Sequence, residues 1–183
     1  MQLHQRVFEL RVGTEADARN LEWLGEFSEH RAIIEHAFSA QRNGEGLVLV
    51  GTVDQFPVAQ LWARFEDRNR PPRLWAFRVM ISHRAIGIGG ALLQFGEREL
   101  AKRNFQSCEI GADKDNIQAF RYYEKRGYRL AYTQVEDYGY WTPSGEWRTG
   151  RADQWILAKR LESAQTPAIW VDWSSGNASP SRL

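Results

Sequence analysis

A glycine-rich turn constrains this chain more than any other feature. It runs Arg84-Ala85-Ile86-Gly87-Ile88-Gly89-Gly90 and lies between an apolar stretch, residues 74–81, and an amphipathic stretch, residues 91–103. This order predicts a strand, a tight loop and a helix. Glycine allows the backbone to approach a ligand closely, and the free N–H groups at the start of a helix attract phosphate. The turn is therefore either a phosphate cradle or a tight connection that binds nothing.

The residues around the turn argue against two common nucleotide-binding motifs. Leu92 occupies the position at which the dinucleotide-binding motif GxGxxG has its last glycine. The turn also lacks the Gly-Lys-Ser/Thr ending of a P-loop. Taken alone, the turn leaves the kind of phosphate ligand open.

The rest of the chain predicts one domain in which strands and helices alternate. Its 183 residues, 43% of them hydrophobic, suit a single compact core. Helices are predicted after Thr14, after Ser28, and over residues 91–103 and 116–126, because apolar residues recur three and four apart. Runs of β-forming residues predict strands over residues 7–12, 47–53, 58–65, 74–81, 105–111, 128–134 and 154–161.

Two segments do not fit this alternation. Residues 135–153 are aromatic and contain glycine, and we expect them to be an insertion before the last strand. Residues 163–183 form a Ser/Pro/Asn-rich tail that is expected to be weakly ordered, after a domain of residues 1–162. The tail contains the apolar patch Ala168-Ile169-Trp170-Val171, which we expect to dock on the domain or on a second copy of the chain in a homodimer.

Charge and cysteine content narrow the partners and the compartment. The formal net charge is +1, and no dense run of Lys and Arg marks a surface for nucleic acid or membrane. The single cysteine, Cys108, cannot form an internal disulfide, and residues 1–10 lack the apolar run of a signal peptide. We therefore expect a cytoplasmic protein with Cys108 in its core. The four histidines have no metal-ligand spacing, so no metal site is expected.

The chain has a second motif, Asn116-Ile117-Gln118-Ala119-Phe120-Arg121-Tyr122-Tyr123-Glu124-Lys125-Arg126-Gly127-Tyr128. Together with Arg84, Gly87 and Gly89 of the turn, it resembles the GNAT acetyltransferase superfamily, because both motifs occur in that family's order. The resemblance extends over residues 7–161 and implies an α+β fold. The implied sheet is mixed and mostly antiparallel, contains one splayed parallel strand pair, and carries helices on both faces.

The resemblance implies that the chain binds acetyl-CoA as its cosubstrate. Backbone groups at the end of a strand, those of Val79, Met80 and Ile81, would hold the pantetheine arm, which Asn116 and Ala119 would also contact. The N–H groups of the turn would hold the pyrophosphate. These groups belong to Arg84, Ala85, Ile86, Gly87, Ile88, Gly89 and Gly90.

Tyr123 is implied to stand near the thioester sulfur. An amine that attacks the thioester releases a thiolate, and a phenol with a pKa of about 10 is still protonated at neutral pH and can act as the general acid. The alternative is that Tyr123, like its neighbour Tyr122, only packs one face of a helix.

The motifs do not identify the group that takes the proton from the amine. Many family members have a glutamate on the strand that corresponds to residues 74–81, but this strand contains no acid. Glu109 on the next strand is our first candidate for the general base. Three other acids, Glu26, Glu29 and Asp137, stay open as base or substrate-binding residues, and each also fits a solvated surface position.

Two further features point to the acceptor side. Arg78 lies in an otherwise apolar strand, where it either holds a carboxylate or phosphate of the acceptor or forms a structural ion pair. The segment Asp137-Tyr138-Gly139-Tyr140-Trp141-Thr142-Pro143 corresponds to one wall of the family's acceptor pocket. It equally fits a hairpin or a subunit contact.

These features predict an enzyme, an N-acetyltransferase that moves an acetyl group from acetyl-CoA to a primary amine by direct attack. The near-neutral charge favours the amine of a small molecule or an amino acid over a protein N-terminus or a lysine, and the amine of a peptide also stays open. One alternative is an acyl-CoA-binding module without turnover, because the strand acid is missing. Another is a different nucleotide-binding enzyme that uses the same turn.

Overall fold

The computed structural model describes residues 7–65, 67 and 69–162. The predicted tail, residues 163–183, lies outside them. The α-helices are α1 (Arg31–Arg42), α2 (Ile88–Lys102) and α3 (Ile117–Glu124). The strands are β1 (Phe8–Val12), β2 (Gly46–Val53), β3 (Phe56–Arg64), β4 (Arg73–Val79), β5 (Ser107–Asp113), β6 (Arg129–Trp141) and β7 (Trp147–Arg160).

The seven strands form one mixed sheet in the order β1-β2-β3-β4-β5-β7-β6. Every neighbouring pair is antiparallel except β4 and β5, which are parallel. These two strands pair only at residues 73–74 of β4 and 109–110 of β5, and they diverge beyond that point. We call the gap between residues 75–79 and residues 111–113 the wedge. The structure confirms the predicted fold class, including the splayed parallel pair.

Side chains of β4 face two separate cores, one on each side of the sheet. Phe77 and Val79 contact the larger core, which α2 and α3 cover, whereas Trp75 and Ala76 contact the smaller core under α1. Two consecutive residues share a face because Ala76 has φ 49° and the pairing with β3 shifts register there. This bulge inserts one extra residue, so Arg78 returns to the side of α1. Helices cover both faces, as predicted.

The regular helix predicted after Thr14 is wrong. Thr14 does cap a turn, but residues 15–25 form short 3₁₀ turns, and Trp23 and Leu24 adopt left-handed backbone angles. The indole of Trp23 is buried and donates a hydrogen bond to the carbonyl of Pro57 at 2.8 Å. Burial of this ring against β3 therefore overrides the local helical pattern.

Residues 135–153 are not a separate insertion, contrary to the prediction, but form a hairpin, which is one of the alternatives that the sequence left open for residues 137–143. They are the outer parts of β6 and β7, which pair with each other in a long hairpin. Two glycines obscured the strand pattern in the sequence. A Cβ at Gly139 would overlap the ring of Trp147, and one at Gly150 would overlap the ring of Tyr138. Glycine weakens a strand but allows these rings to lie across the neighbouring strand.

Cys108 is a core residue, as predicted. It lies on β5, is fully buried, and has its sulfur 3.5 Å from the hydroxyl oxygen of Tyr128. Burial raises the pKa of the Cys108 thiol to about 12. A thiol with such a pKa is protonated at neutral pH and is a poor nucleophile.

None of the described helices is both long enough and apolar enough to cross a bilayer. Within the same residues, no three His, Cys, Asp or Glu side chains are grouped so that they share a metal ion.

Asp17 allows a test of the segment that precedes α1. Its carboxylate accepts hydrogen bonds from both Nη atoms of Arg11, at 2.7 Å each, and from the N–H of Thr14 at 2.8 Å. Burial by itself raises the pKa of Asp17, but these hydrogen bonds outweigh it and the pKa is lowered. The carboxylate therefore stabilises the fold above the pKa of the unfolded state, and this contribution is lost as the pH falls through the folded-state pKa.

We predict that Asp17→Asn lowers the free energy of unfolding at pH 7 by about 2 kcal/mol. The difference from wild type should shrink as the pH falls below about 4. Glu15→Gln is the matched control, because Glu15 pairs with Arg42 on the surface and should cost less than about 0.5 kcal/mol. Urea denaturation over a pH series measures both variants, and equal losses would contradict the assignment.

Candidate active site

The glycine turn adopts the backbone that a phosphate cradle needs. Gly87 has φ 94° and is the N-cap of α2, and Ala85 is also left-handed, with φ 64°. The N–H of Ala91 bonds to the carbonyl of Gly87. The N–H groups of residues 88–90 therefore have no acceptor within the helix, and they carry the positive end of its dipole.

Close packing favours glycine at the first positions of α2. A Cβ at Gly89 would lie 3.2 Å from the hydroxyl oxygen of Tyr122 and 3.3 Å from a methyl group of Val79. A Cβ at Gly90 would lie 3.2 Å from Nη2 of Arg126. The start of α2 thus packs against both α3 and the end of β4.

Arg126 brings a cation to this cradle, and the sequence did not predict it. Its guanidinium lies 3.5 Å from the centroid of the Tyr122 ring and donates to the Tyr122 carbonyl. In the sequence, a cation just after a helix is explained by the dipole of that helix alone. Its position beside Gly90 depends on how α3 packs against α2, which no local pattern reveals.

The end of β4 differs by two residues from the predicted strand. β4 ends at Val79, and Ile81 is 79% exposed in a 3₁₀ turn, Ile81–His83. The N–H of Met80 still bonds to the carbonyl of Val58 on β3. On the other side of β4, residues 75–79 have no strand partner within the described part of the chain. This unpaired edge forms one side of the wedge.

The other predicted turn residues divide between surface and core. Ile86 is exposed, whereas Ile88 is buried in the larger core. The side chain of Arg84 folds back onto β4, where Nε donates to the carbonyl of Val79 at 2.8 Å.

Tyr123 is buried on the same side of the sheet as α2. It is 6% exposed, and its ring packs near the rings of Phe77, Tyr122 and Tyr128. Burial raises the pKa of the Tyr123 phenol, and the proximity of Tyr122 and Asp113 raises it further. Its hydroxyl makes no hydrogen bond to any residue that the structure describes. Tyr123 is thus a protonated donor at neutral pH.

Asn116 has a structural role in the geometry observed. Its Oδ1 accepts a hydrogen bond from the N–H of Ala119 at 3.0 Å, which caps α3. Both residues thereby fix the start of the helix that carries Tyr123.

A cleft of about 780 Å³ opens under α1, on the side of the wedge that faces away from α2. We call it the aromatic cleft. Its walls come from β4, the start of α1 and the outer parts of β6 and β7. The aromatic residues that border it are Trp62, Trp75, Tyr138, Tyr140, Trp141 and Trp147, together with Phe77, whose ring packs on the other side near Tyr122 and Tyr123. The predicted acceptor wall is thus a strand pair, and Tyr138 belongs to it.

The predicted acids do not come together in this cleft. Asp137 faces solvent and lies 3.6 Å from Arg151, and both Glu26 and Glu29 are exposed. Glu109 lies at the apex of the wedge. Its Oε2 accepts hydrogen bonds from Arg73 at 3.0 Å and from the hydroxyl of Tyr132 at 2.8 Å, and these contacts fix the carboxylate.

Asp113 is a cleft carboxylate that the sequence analysis missed. It lies at the open end of the wedge, lines the aromatic cleft, and accepts a hydrogen bond from Nε2 of Gln154 at 2.7 Å. The signal was present, because Cys108, Ile110 and Ala112 alternate with it and are buried in the larger core. The period of two places Asp113 on the opposite face.

Arg78 and His30 form a second polar group in the cleft. The guanidinium of Arg78 lies 4.3 Å from the centroid of the Phe27 ring. His30 packs between the rings of Phe27 and Tyr140, at 5.9 and 5.0 Å between centroids, and its Nδ1 is buried without a partner among the described residues. Burial lowers the pKa of His30, the charge of Arg78 lowers it further, and Glu29 opposes the shift.

Comparison with known proteins supports one family. A family model described as Acetyltransferase (GNAT) family matches residues 1–128. The uncharacterized protein YxbD of Bacillus subtilis (strain 168) is 46% identical over 44 residues. This match covers 24% of the chain and 28% of YxbD.

Several solved structures share the fold at low sequence identity. The PaiA N-acetyltransferase from Thermoplasma acidophilum, in complex with coenzyme A, is 18% identical with a TM-score of 0.60, covering 85% of this chain and 99% of that one. The ribosomal-protein-S18-alanine N-acetyltransferase from Escherichia coli is 18% identical with a TM-score of 0.63, covering 90% and 100%. YncA from Salmonella typhimurium, with its cofactor acetyl-CoA, is 13% identical with a TM-score of 0.65, covering 88% and 98%.

The pKa of His30 tests the electrostatics of the cleft. We predict that the pKa of His30 lies below that of an ordinary histidine, because burial and the charge of Arg78 both disfavour the imidazolium. Arg78→Gln should raise this pKa towards the usual value, because it removes a nearby positive charge. Glu29→Gln should lower it further, because it removes a negative charge. Nuclear magnetic resonance of the imidazole protons measures all three proteins, and an unchanged pKa in Arg78→Gln would contradict the arrangement.

Proposed function

This chain belongs to the GNAT acetyltransferase family, and we propose that it transfers an acetyl group from acetyl-CoA to a primary amine. The observation that carries the proposal is the cradle at the N-terminus of α2, beside the unpaired edge of β4 and on the same side of the sheet as the buried ring of Tyr123. Solved relatives in complex with coenzyme A and with acetyl-CoA support the choice of cosubstrate.

The residues of the wedge suit a coenzyme A thioester. The free N–H groups of residues 88–90 and the guanidinium of Arg126 would hold the pyrophosphate. Unpaired backbone groups of residues 75–79 would bind the pantetheine arm as a neighbouring strand does. Acetyl-CoA supplies an activated acyl group when it is bound. All other steps depend on side chains of this chain.

Tyr123 would act as the general acid. The neutral amine nitrogen forms a bond to the carbonyl carbon, the bond from that carbon to sulfur breaks, and Tyr123 gives its proton to the departing sulfur. The new amide nitrogen then loses its extra proton, and a proton returns to the phenolate of Tyr123. Burial raises the pKa of this phenol, which keeps it protonated over the whole neutral range, so that a proton is available for the departing sulfur.

The incoming amine must lose a proton before it attacks, and the carboxylates of β5 would take it. Glu109 is our first proposal for this base, and Oε1 of Glu109 makes no hydrogen bond to the residues described. Asp113 is a second proposal, because it lines the cleft and lies close enough to Tyr123 to raise the pKa of that phenol. Asp113→Asn and Glu109→Gln distinguish the two by the pH dependence of kcat/KM.

The acceptor would enter through the aromatic cleft. We favour the amine of a small molecule, an amino acid or a peptide over a protein N-terminus or a lysine, since the net charge of +1 gives no broad charged surface. A cytoplasmic location, a GNAT domain of residues 1–162 and a homodimer through the tail stay predictions from the sequence.

A binding module without turnover is the second candidate function. It is favoured by one observation, the absence of any carboxylate on β4. An intact enzyme releases coenzyme A in the presence of amines, whereas a module binds acetyl-CoA and acetylates nothing in a broad amine screen.

We predict that Tyr123→Phe lowers kcat by about 100-fold or more, because general acid catalysis contributes on that order. The affinity for acetyl-CoA should change little, since the ring is preserved. Tyr122→Phe is the matched control, because it removes the neighbouring hydroxyl. Release of the coenzyme A thiol gives kcat, and isothermal titration gives the affinity. Equal losses of kcat in both variants would contradict the role of Tyr123.

We also predict that Arg126→Gln weakens acetyl-CoA binding by about 10-fold, since hydrogen bonds between charged groups are worth more than about 1.5 kcal/mol. The loss should diminish at high salt, because salt screens the charge. Arg129→Gln is the control, as Arg129 donates to the carbonyls of Glu124 and Tyr128. Titration calorimetry at two salt concentrations provides the comparison. If Arg126→Gln binds acetyl-CoA with the wild-type affinity, Arg126 does not contribute to binding of the pyrophosphate.

A further inference from the structure

We propose that the acceptor carries a carboxylate and that Arg78 binds it, so that the substrate class is an amino acid with a free carboxylate and a free amine. The inference deepens the proposed acetyl transfer and rests on it. It depends on a cation in the aromatic cleft that lacks an anionic partner, and on a carboxylate across the wedge from it.

Arg78 is a cation without a counterion within bonding distance. Among the residues that the structure describes, none forms a hydrogen bond or ion pair with its guanidinium, which lies over the Phe27 ring. Burial lowers the pKa of Arg78, the charge of Glu26 opposes this shift, and Glu26 itself is exposed. A guanidinium removed from water is costly unless an anion or hydrogen-bond acceptor meets it. Its planar fork matches the two oxygens of a carboxylate.

The face on which Arg78 lies argues against a contact with the phosphates of coenzyme A. The bulge at Ala76 directs Phe77 and Val79 towards α2, where the glycine cradle lies, and directs Arg78 to the other side. Arg78 lines the aromatic cleft instead. An anion that reaches Arg78 therefore belongs to the molecule in the cleft.

Two more polar side chains on this face lack partners. Gln60 pairs with Arg78 in the register of β3 and β4, is fully buried, and has neither amide atom hydrogen-bonded within the described residues. His30 has an unpartnered Nδ1 and lines the same cleft. Buried polar groups are nearly always hydrogen-bonded in folded proteins. The unpartnered Nδ1 of His30 beside Arg78 favours a polar ligand group at this end of the cleft, whereas the fully buried Gln60 does not line the cleft.

Asp113 provides the complementary charge for the ammonium group. Arg73 of β4 pairs with Glu109 of β5. Arg78 follows Arg73 by five residues, one of which is the extra residue of the bulge at Ala76, and Asp113 follows Glu109 by four residues. The two side chains thus stand at equivalent levels on opposite sides of the wedge. Asp113 has no cationic partner among the described residues and receives only an amide donor, from Gln154. A molecule with a carboxylate and an ammonium group satisfies both charges.

The lining of the cleft determines the choice of probe. Trp75, Tyr138, Tyr140 and Trp141 offer ring faces to an apolar body. L-phenylalanine and phenethylamine form a matched pair, since they share the ring and the amine and differ only in the carboxylate. L-tryptophan and tryptamine form a second such pair.

The test is the ratio of kcat/KM for L-phenylalanine to kcat/KM for phenethylamine, with saturating acetyl-CoA. We expect a ratio of about 10 or more in the wild type, since a charged hydrogen-bonded pair contributes about 1.5–3 kcal/mol and 1.4 kcal/mol is tenfold. Arg78→Gln should reduce the ratio by about 10-fold or more, and Arg78→Lys, which keeps the charge but loses the fork, by less. Asp113→Asn should lower both values and preserve the ratio, because both molecules carry the amine.

A ratio of one or less in the wild type overturns the proposal. So does an Arg78→Gln variant that folds normally by circular dichroism and keeps the wild-type ratio. The same results for the tryptophan pair count in the same way.

A binding measurement separates this proposal from the proposed function. With coenzyme A present, L-phenylalanine should raise the Tm of the wild type more than phenethylamine does, and Arg78→Gln should abolish this difference. If no acetylation is detected but this pattern holds, acetyl transfer fails and the carboxylate site stands. If phenethylamine is acetylated and L-phenylalanine gives no shift, acetyl transfer stands and the carboxylate site is wrong.

Discussion

The parting of β4 from β5 is the constraint on which the rest of the structure depends. Two residues on each strand hold the pair together, and beyond them the edge of β4 has no strand partner within the described chain. Unpaired backbone groups next to a core are costly unless water or a ligand meets them. Because of the bulge at Ala76, the side chain of Phe77 packs on the α2 face of the sheet and the side chain of Arg78 lies on the α1 face. One break in the sheet thereby creates a binding edge with different chemistry on each side.

The two sides of the wedge carry different charged groups, although the formal net charge of the chain is only +1. Beside α2, the positive end of the helix dipole and the guanidinium of Arg126 would form the proposed site for the pyrophosphate. Under α1, Arg78 and Asp113 carry opposite charges within one aromatic cleft. Tyr123 lies on the first side but is electrostatically coupled to Asp113 on the second. The reacting groups would therefore meet where the wedge narrows, between the two sites.

Local motifs made part of this arrangement predictable and tertiary packing made the rest unpredictable. Gly87 and Gly89 are predictable from the sequence because they lie close to each other at the start of a helix. Gly87 has a left-handed backbone there, and close packing favours glycine at Gly89. Arg126 was missed because its place beside Gly90 depends on how two helices pack. The hairpin of β6 and β7 was misread as an insertion because Gly139 and Gly150 interrupt the strand pattern, and only the rings that cross them explain the glycines. The 3₁₀ turns before α1 were read as a helix because burial of Trp23 against Pro57 does not appear in local spacing.

Amide hydrogen exchange with and without acetyl-CoA tests the central claim, that the wedge and the start of α2 bind the acyl donor. The account predicts slower exchange at residues 75–79 of β4, at residues 87–91, and at the start of α3, since these backbone groups gain partners or lose contact with water. The outer hairpin, residues 135–153, should exchange at the same rate in both samples, because it borders the aromatic cleft and not the proposed acetyl-CoA site. Protection confined to the hairpin, or no protection anywhere at saturating acetyl-CoA, would contradict the account.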